Sequence, residues 1–239
     1  MRIEAYFTVG EVDPAALTDA TVVVIDVVRS TTTIVEALAN GARGIYPAVS
    51  TEEAVKLAQS LGRDDTLLCG ERKGQKVEGF DLGNSPGDFT AEVVAGKRLV
   101  MSTTNGTRAF GLGHESARVL ACAFTNLSAV AGAVEGVEDL VVLCAGREGR
   151  FSMGDALCAG HLISRVVADS GEEHSLNDAA MAARALASRK PSKRFLSGTI
   201  GGKALIEIGL EADLEICAEV DRHDFVAEMV DQAITRSGA

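Results

Sequence analysis

The chain has 239 residues, 46% hydrophobic and 24% charged, a composition that suits a folded domain with a full core and excludes a disordered or fibrous chain. Its formal net charge of −11 argues against nucleic acid or an anionic membrane surface as partner, although local basic loops can still hold small anions. Cys69, Cys122, Cys144, Cys158 and Cys217 show no CxxC or Cys/His zinc spacing, the start MRIEAYFTVGEVD has no leader-like apolar stretch, and no run approaches the roughly 18–20 apolar residues of a membrane span; the expectation is a cytoplasmic protein with reduced, mostly buried thiols.

The first strong signal is TVVVIDVVRSTT, beginning at Thr21. Val22-Val23-Val24-Ile25 is a short β-branched run, which predicts a strand buried on both faces of a parallel sheet. It ends in Asp26; Arg29, Ser30, Thr31, Thr32 and Thr33 follow, then a helical pattern over 34–40 with Gly41 as C-cap. Ligands of open α/β sheets sit beyond the carboxyl ends of the strands. There this turn offers a carboxylate for a metal, a guanidinium for an anion and hydroxyls at a helix start. The same residues serve equally well as a capping cluster with a surface ion pair.

Further along, 44–47 predicts a second strand, and Ser50-Thr51-Glu52-Glu53 a helix start whose apolar face is Ala54, Leu57, Ala58 and Leu61. A third strand at 66–69 enters a long Gly-rich segment, 70–87, of the kind that is usually functional. It groups Glu71, Arg72, Lys73 and Lys76, then Asp81, Asn84 and Ser85 before a helix start at Pro86. Alternating acid and base in such a loop suits a metal–phosphate pair, or a solvated loop with surface ion pairs. The strand at 99–101 runs into Ser102-Thr103-Thr104-Asn105-Gly106-Thr107, hydroxyls and an Asn-Gly step at a helix start, which together make an anion pocket that Arg108 could extend. No Walker GxxxxGK[ST] and no GxGxxG follows a strand, so nucleotide-type phosphate loops are not supported.

A strand at 119–122, a helix at 127–134 and a buried strand at 140–144 lead to Cys144-Ala145-Gly146-Arg147-Glu148-Gly149-Arg150, then a helix over 153–167 with Asp155 just inside it. Cysteine, five residues and arginine resemble the loop of cysteine-dependent phosphatases, in which a helix dipole and Arg lower the thiol pKa, but Leu143 stands where those carry His. A helix is expected over 177–188, and 195–231 holds short amphipathic pieces that are placed only loosely. His114, His161, His174 and His223 are scattered, which predicts surface or packing roles. Residues 1–239 read as one domain with a weak internal repeat. The order strand, polar turn, helix, Ala-Arg, strand, helix of 22–61 returns in 99–134, with Ala42-Arg43 echoed by Ala117-Arg118. Right-handed crossovers would crowd the polar turns onto one edge.

Taken together, VVVIDVVRSTTTIVEALANGA, LLCGERKGQKVEGFDLGNSP, GKRLVMSTTNGTRA, LCAGREGRFSMGDALCAG and CAEVDRHDFV resemble the 2-phosphosulfolactate phosphatase family, the ComB type, over nearly the whole chain. The resemblance implies a three-layer α/β/α fold with a mostly parallel sheet. It also implies a Mg²⁺-dependent phosphomonoester hydrolase acting on a small, highly acidic substrate in the coenzyme M branch of sulfonate metabolism. Where the family tends to carry an acidic pair before LCAG, this chain has Gly154-Asp155, which reduces the implied metal shell. On this basis Asp26, Asp155 and Glu71 are expected to hold Mg²⁺. Arg29, Arg72 and Arg147 would bind the acid groups, and Ser30, Asn84, Ser102, Thr103, Thr104, Asn105 and Gly106 would line the pocket. Asp81 is the candidate general acid/base. A homo-oligomer is expected from the apolar helix faces. Two alternatives stay open: a cysteine-dependent phosphatase using Cys144 and Arg150, and a non-catalytic binder of small anions.

Overall fold

A computed structural model describes residues 1–113, 116–170 and 173–237; His114 lies outside the described residues. In chain order the strands are β1 (Arg2–Tyr6), β2 (Thr21–Ile25), β3 (Gly44–Pro47), β4 (Thr66–Arg72), β5 (Gln75–Lys76), β6 (Arg98–Ser102), β7 (Arg118–Cys122), β8 (Asp139–Cys144), β9 (Ser175–Leu176), β10 (Val226–Val230) and β11 (Ala233–Ser237). The helices are α1 (Ser30–Ala39), α2 (Thr51–Leu61), α3 (Ala91–Val94), α4 (Gly106–Leu112), α5 (Leu127–Ala133), α6 (Met153–Ser170), α7 (Asp178–Leu186), α8 (Lys193–Ser197), α9 (Ile200–Glu207) and α10 (Asp213–Ala218). The fold is α/β, a three-layer α/β/α arrangement in which helices flank one mixed, mostly parallel sheet.

The sheet contains two parallel blocks. One runs β7-β2-β8-β1-β9; the other is β3-β6-β4, with the short β5 folded back antiparallel on β4. The hairpin β10–β11 lies between them. Its β10 pairs antiparallel with β7, and β11 meets β3 at the single register pair Ile234↔Ile45. Asp231 and Gln232 turn the hairpin with φ of 48° and 67°, the left-handed pair that matches the twist of a tight hairpin.

The apolar runs explain the layers. All five residues of β2 are buried, and alternate ones serve opposite cores. Val23 and Ile25, with Leu120, Val142 and Cys144, pack under α5, α6 and α7. Val22 and Val24, with Ala121, Val141 and Leu143, pack against Ile34, Val35 and Leu38 of α1 and Ala109 and Phe110 of α4. The same inner core takes Ile45, Leu99 and Met101 from the second block. Burying each of these large side chains is worth about 1.5–3 kcal/mol. Because α1 and α4 pack on strands of both blocks, the end of β2 and the end of β6 meet: Ser30 Oγ donates to Thr103 Oγ1 at 3.2 Å. A third cluster sets Ala54 and Ala58 of α2 on Leu68 and Val100.

Some elements differ from the sequence expectation. Helix α1 begins at Ser30, four residues before its apolar pattern, because the hydroxyls serve the turn from inside the helix. Asp26 N donates to Thr31 Oγ1 at 3.0 Å, and Thr32 Oγ1 donates to the Val27 carbonyl at 2.8 Å. Pro86 opens only a single tight turn, over 86–88, before α3. The stretch 195–231 resolves into α8, α9 and α10 and the first strand of the hairpin.

Candidate active site

Asp26 stands at the end of β2 with its side chain turned into the protein, 4% exposed. Burial raises its carboxyl pKa to about 6; hydrogen bonds from Ser30 oppose the rise and the charge of Glu71 adds to it. Asp155, in the first turn of α6, is 2% exposed and accepts from Val27 N at 2.9 Å. Its carboxyl lies well above the ordinary range, first through burial and then through the charge of Asp26. Neither carboxyl has an ion-pair partner among the described residues. Gly106, which opens α4, allows this closeness. A Cβ there would sit 2.6 Å from Ser30 Cβ and 2.9 Å from Asp26 Oδ2.

Glu71 joins two loops. Its Oε1 accepts from Thr104 N and its Oε2 from Gly74 N, each at 2.7 Å. Asn105 Oδ1 accepts from Glu148 N at 2.9 Å and ties the loop after β8 to the turn after β6. These contacts shape two small cavities that share Asp26, Asn105 and Arg147. One, of about 30 Å³, is also lined by Glu71, Asn84 and Thr104. The other, of about 20 Å³, is also lined by Ser152 and Gly154 at the start of α6 and by Thr199 and Gly201 at the start of α9. Arg147 is half-buried, and its guanidinium makes no hydrogen bond or ion pair among the described residues.

Of the residues singled out in the sequence, Asp26, Arg29, Ser30, Glu71, Asn84, Thr104, Asn105 and Arg147 line the first cavity, and Asp155 is joined to it through Val27 and Asp26. Others are placed differently. Arg29 is no free anion ligand: Nη1 donates to Asp213 Oδ2 at 2.8 Å and Ser85 Oγ at 3.1 Å, and Nη2 to the Gly74 carbonyl at 2.7 Å. Arg72 donates to the Ser102 carbonyl and Oγ, clamping β4 to β6 and occupying Ser102. Thr103 is occupied in turn by Ser30 and by the backbone N–H of Thr107. Asp81 lines neither cavity; it accepts from Leu68 N at 2.7 Å and pairs with exposed Arg63, so it fixes its loop instead of reaching a substrate. The nucleophilic reading of Cys144 fails as well. The thiol is fully buried in the core under α6, and burial, then Asp155, push its pKa well above the free value, opposite to an activated thiolate. Arg150 is exposed, away from that core.

Sequence reasoning missed the start of α9. Its signal was present in Ser197-Gly198-Thr199-Ile200-Gly201-Gly202, where Thr199 caps the helix by accepting from Gly202 N at 3.0 Å. Two glycines at a helix start lower its intrinsic propensity and hide it from a periodicity search.

Among the described residues no three His, Cys, Asp or Glu side chains converge closely enough to make a metal ligand set, so the expected trio of Asp26, Glu71 and Asp155 does not close. The donors that remain are hard oxygens. Asp26 and Asp155 carry unpaired carboxyls, and Asn84 Oδ1 and Thr104 Oγ1 are buried with no hydrogen-bond partner. Such a set fits Mg²⁺, which takes one or two carboxylates and completes its shell with water and substrate oxygens.

The family model for 2-phosphosulpholactate phosphatase matches residues 6–232. Among curated relatives, a protein of Thermotoga petrophila is 40% identical over 88% of this chain and 89% of its own length, and one of Clostridium acetobutylicum is 39% identical over 92% and 94%. A third, from Clostridium perfringens, is 38% identical over 95% of this chain and 93% of its own. Each is named a probable 2-phosphosulfolactate phosphatase. A match that spans the β2 turn, the loop after β4, the turn after β6, the loop after β8 and β10 in one order places the chain in the 2-phosphosulfolactate phosphatase family.

Proposed function

We propose that the chain is a Mg²⁺-dependent phosphatase that hydrolyses 2-phosphosulfolactate to 3-sulfolactate and phosphate, a reaction of coenzyme M biosynthesis, and that it works in the cytoplasm as a homo-oligomer. The observation that carries this reading is the buried carboxyl of Asp26, with that of Asp155 behind it through Val27, set beside Arg147 and two helix starts at small polar cavities. Phosphoryl transfer depends mostly on positioning and on neutralising the phosphoryl oxygens. Arg147 and the first turns of α6 and α9 would hold those oxygens, with the helix dipoles favouring negative charge. Asp26, Asp155, Asn84 and Thr104 would hold Mg²⁺, which when bound supplies charge neutralisation and polarises the phosphoryl group. Ser30 and Asn105 would orient the ester, and Glu71 keeps the two loops at the distance this needs.

The test is phosphate release from phosphosulfolactate and from phospholactate, each with Mg²⁺ and with EDTA. Release that needs Mg²⁺ and favours the sulfonated ester is the expected result. Equal release in EDTA would remove the metal from the reading, and no release from either ester by the folded protein would leave only anion binding.

A further inference from the structure

The cavities at Asp26 open through Arg147, Ser152, Thr199 and Gly201 into a cleft of about 1100 Å³ that the proposed reaction does not account for. Five cations line it, Arg147, Arg150, Arg189, Lys190 and Arg194, against the single acid Glu148. The chain as a whole carries 34 acids and 23 Lys and Arg, so the cleft inverts the charge balance of the molecule. None of the five side chains is paired with an acid among the described residues; neighbouring Lys193, outside the cleft, is paired with both Glu211 and Glu215. Unpaired like charges gathered in a concavity repel one another and are relieved by an anion. The walls are apolar between the charges: Phe151, Met153 and Ile200 are 44%, 41% and 77% exposed, and Phe151 stands edge-on to Phe7 at 5.0 Å. A volume of this order matches the roughly 300–1,000 Å³ of pockets that hold drug-sized molecules, well beyond the need of a three-carbon acid.

We infer that the cleft binds the non-reacting body of a phosphate monoester, and that it accepts bodies carrying two or more further acid groups on an apolar or aromatic frame. The inference rests on the phosphatase reading of the adjoining cavities, since it makes the cleft the other half of one substrate site. Arg147, shared by cleft and cavities, spans the phosphoryl end and the acid end. Arg189, Lys190 and Arg194, all exposed, face the distal acids.

A trianion without a phosphoester, 5-sulfoisophthalate, tests this apart from turnover. It is titrated calorimetrically into the Mg²⁺-supplemented wild-type protein and into the R189E/K190E/R194E variant, at low and high salt, with the oligomeric state of both followed by size-exclusion chromatography. The expected result is binding to wild type that weakens with salt and a Kd at least tenfold higher in the variant. Hydrolysis of 5-phosphonooxyisophthalate with a kcat/KM within tenfold of that for phosphosulfolactate is expected alongside. Equal binding by both proteins, or none to either, overturns the inference even if phosphosulfolactate is still hydrolysed. A variant that only dissociates a wild-type dimer, with no probe bound by either, also overturns it and makes the cleft an interface. Probe binding lost in the variant, with no ester hydrolysed, keeps the cleft as a polyanion site and removes the phosphatase reading.

Discussion

Asp26 shows how a site residue can cost stability. Its pKa of about 6 in the folded protein lies above the ordinary value near 3.9, so the folded state holds that proton more tightly than the unfolded state. For a raised acid the penalty is absent below pH ~4, grows as the pH rises to about 6, and is complete above that. Asp26→Asn is therefore expected to stabilise the metal-free protein by about 1–3 kcal/mol at pH 8, read as a higher Tm, and to change the Tm little at pH 4. Relief of the charge felt by Asp155 adds to the gain. The same variant should lose Mg²⁺-dependent turnover by a factor of about 10³ or more, and added Mg²⁺ should no longer raise its Tm. A lower Tm at pH 8 would contradict the stability cost of the buried carboxyl, and near-normal turnover would remove Asp26 from the reaction. Gly106→Ala meets Ser30 and Asp26 at once and is expected to reduce turnover sharply while the rest of the sheet stays folded, measured by activity beside circular dichroism.

Between elements, the most buried ion pair among the described residues is Arg29 with Asp213, whose side chains are 3% and 8% exposed and which fastens α10 to the turn before α1. Removing one partner leaves the other buried and uncompensated, at about 3–5 kcal/mol. Asp213→Asn should lower the Tm by several degrees, while Arg29→Met with Asp213→Leu should recover much of the loss; equal stability of the single and double variants would contradict this. The pair also explains what could and could not be read in the sequence. The turns after β2, β6 and β8 were legible because a β-branched run followed by polar residues and a helix pattern is a local signal. The partner of Arg29 stands 184 residues away, and nothing near Arg29 distinguishes a buried post from a substrate ligand. Asp81 misled for the same reason, since its partners Leu68 and Arg63 become neighbours only once β4 is in place. The hairpin of β10 and β11 escaped because Asp231-Gln232 lacks the Asn-Gly or Gly that marks such turns.

On the scale of the whole molecule, the three-layer arrangement foreseen from the family resemblance is present, but its sheet is joined in the middle by that hairpin. Ile234 is fully buried at the joint. Ile234→Ala is expected to cost about 2–5 kcal/mol, read as a lower urea midpoint. It should also reduce turnover in proportion, because the cavities take Asp26 from one block and Glu71 and Thr104 from beside the other. Loss of stability with full activity below the transition would separate the joint from the site. The position of this hairpin also has a consequence for biosynthesis. Ribosomes deliver the chain from its N-terminus, so every strand that borders the hairpin exists before the hairpin does. Until it emerges, β7 and β3 each present a bare backbone edge, the kind that pairs with a neighbouring nascent chain. The protein should therefore depend on slow translation or on chaperones at that stage, and crowded overexpression should divert it into aggregates even though the finished fold leaves neither edge open.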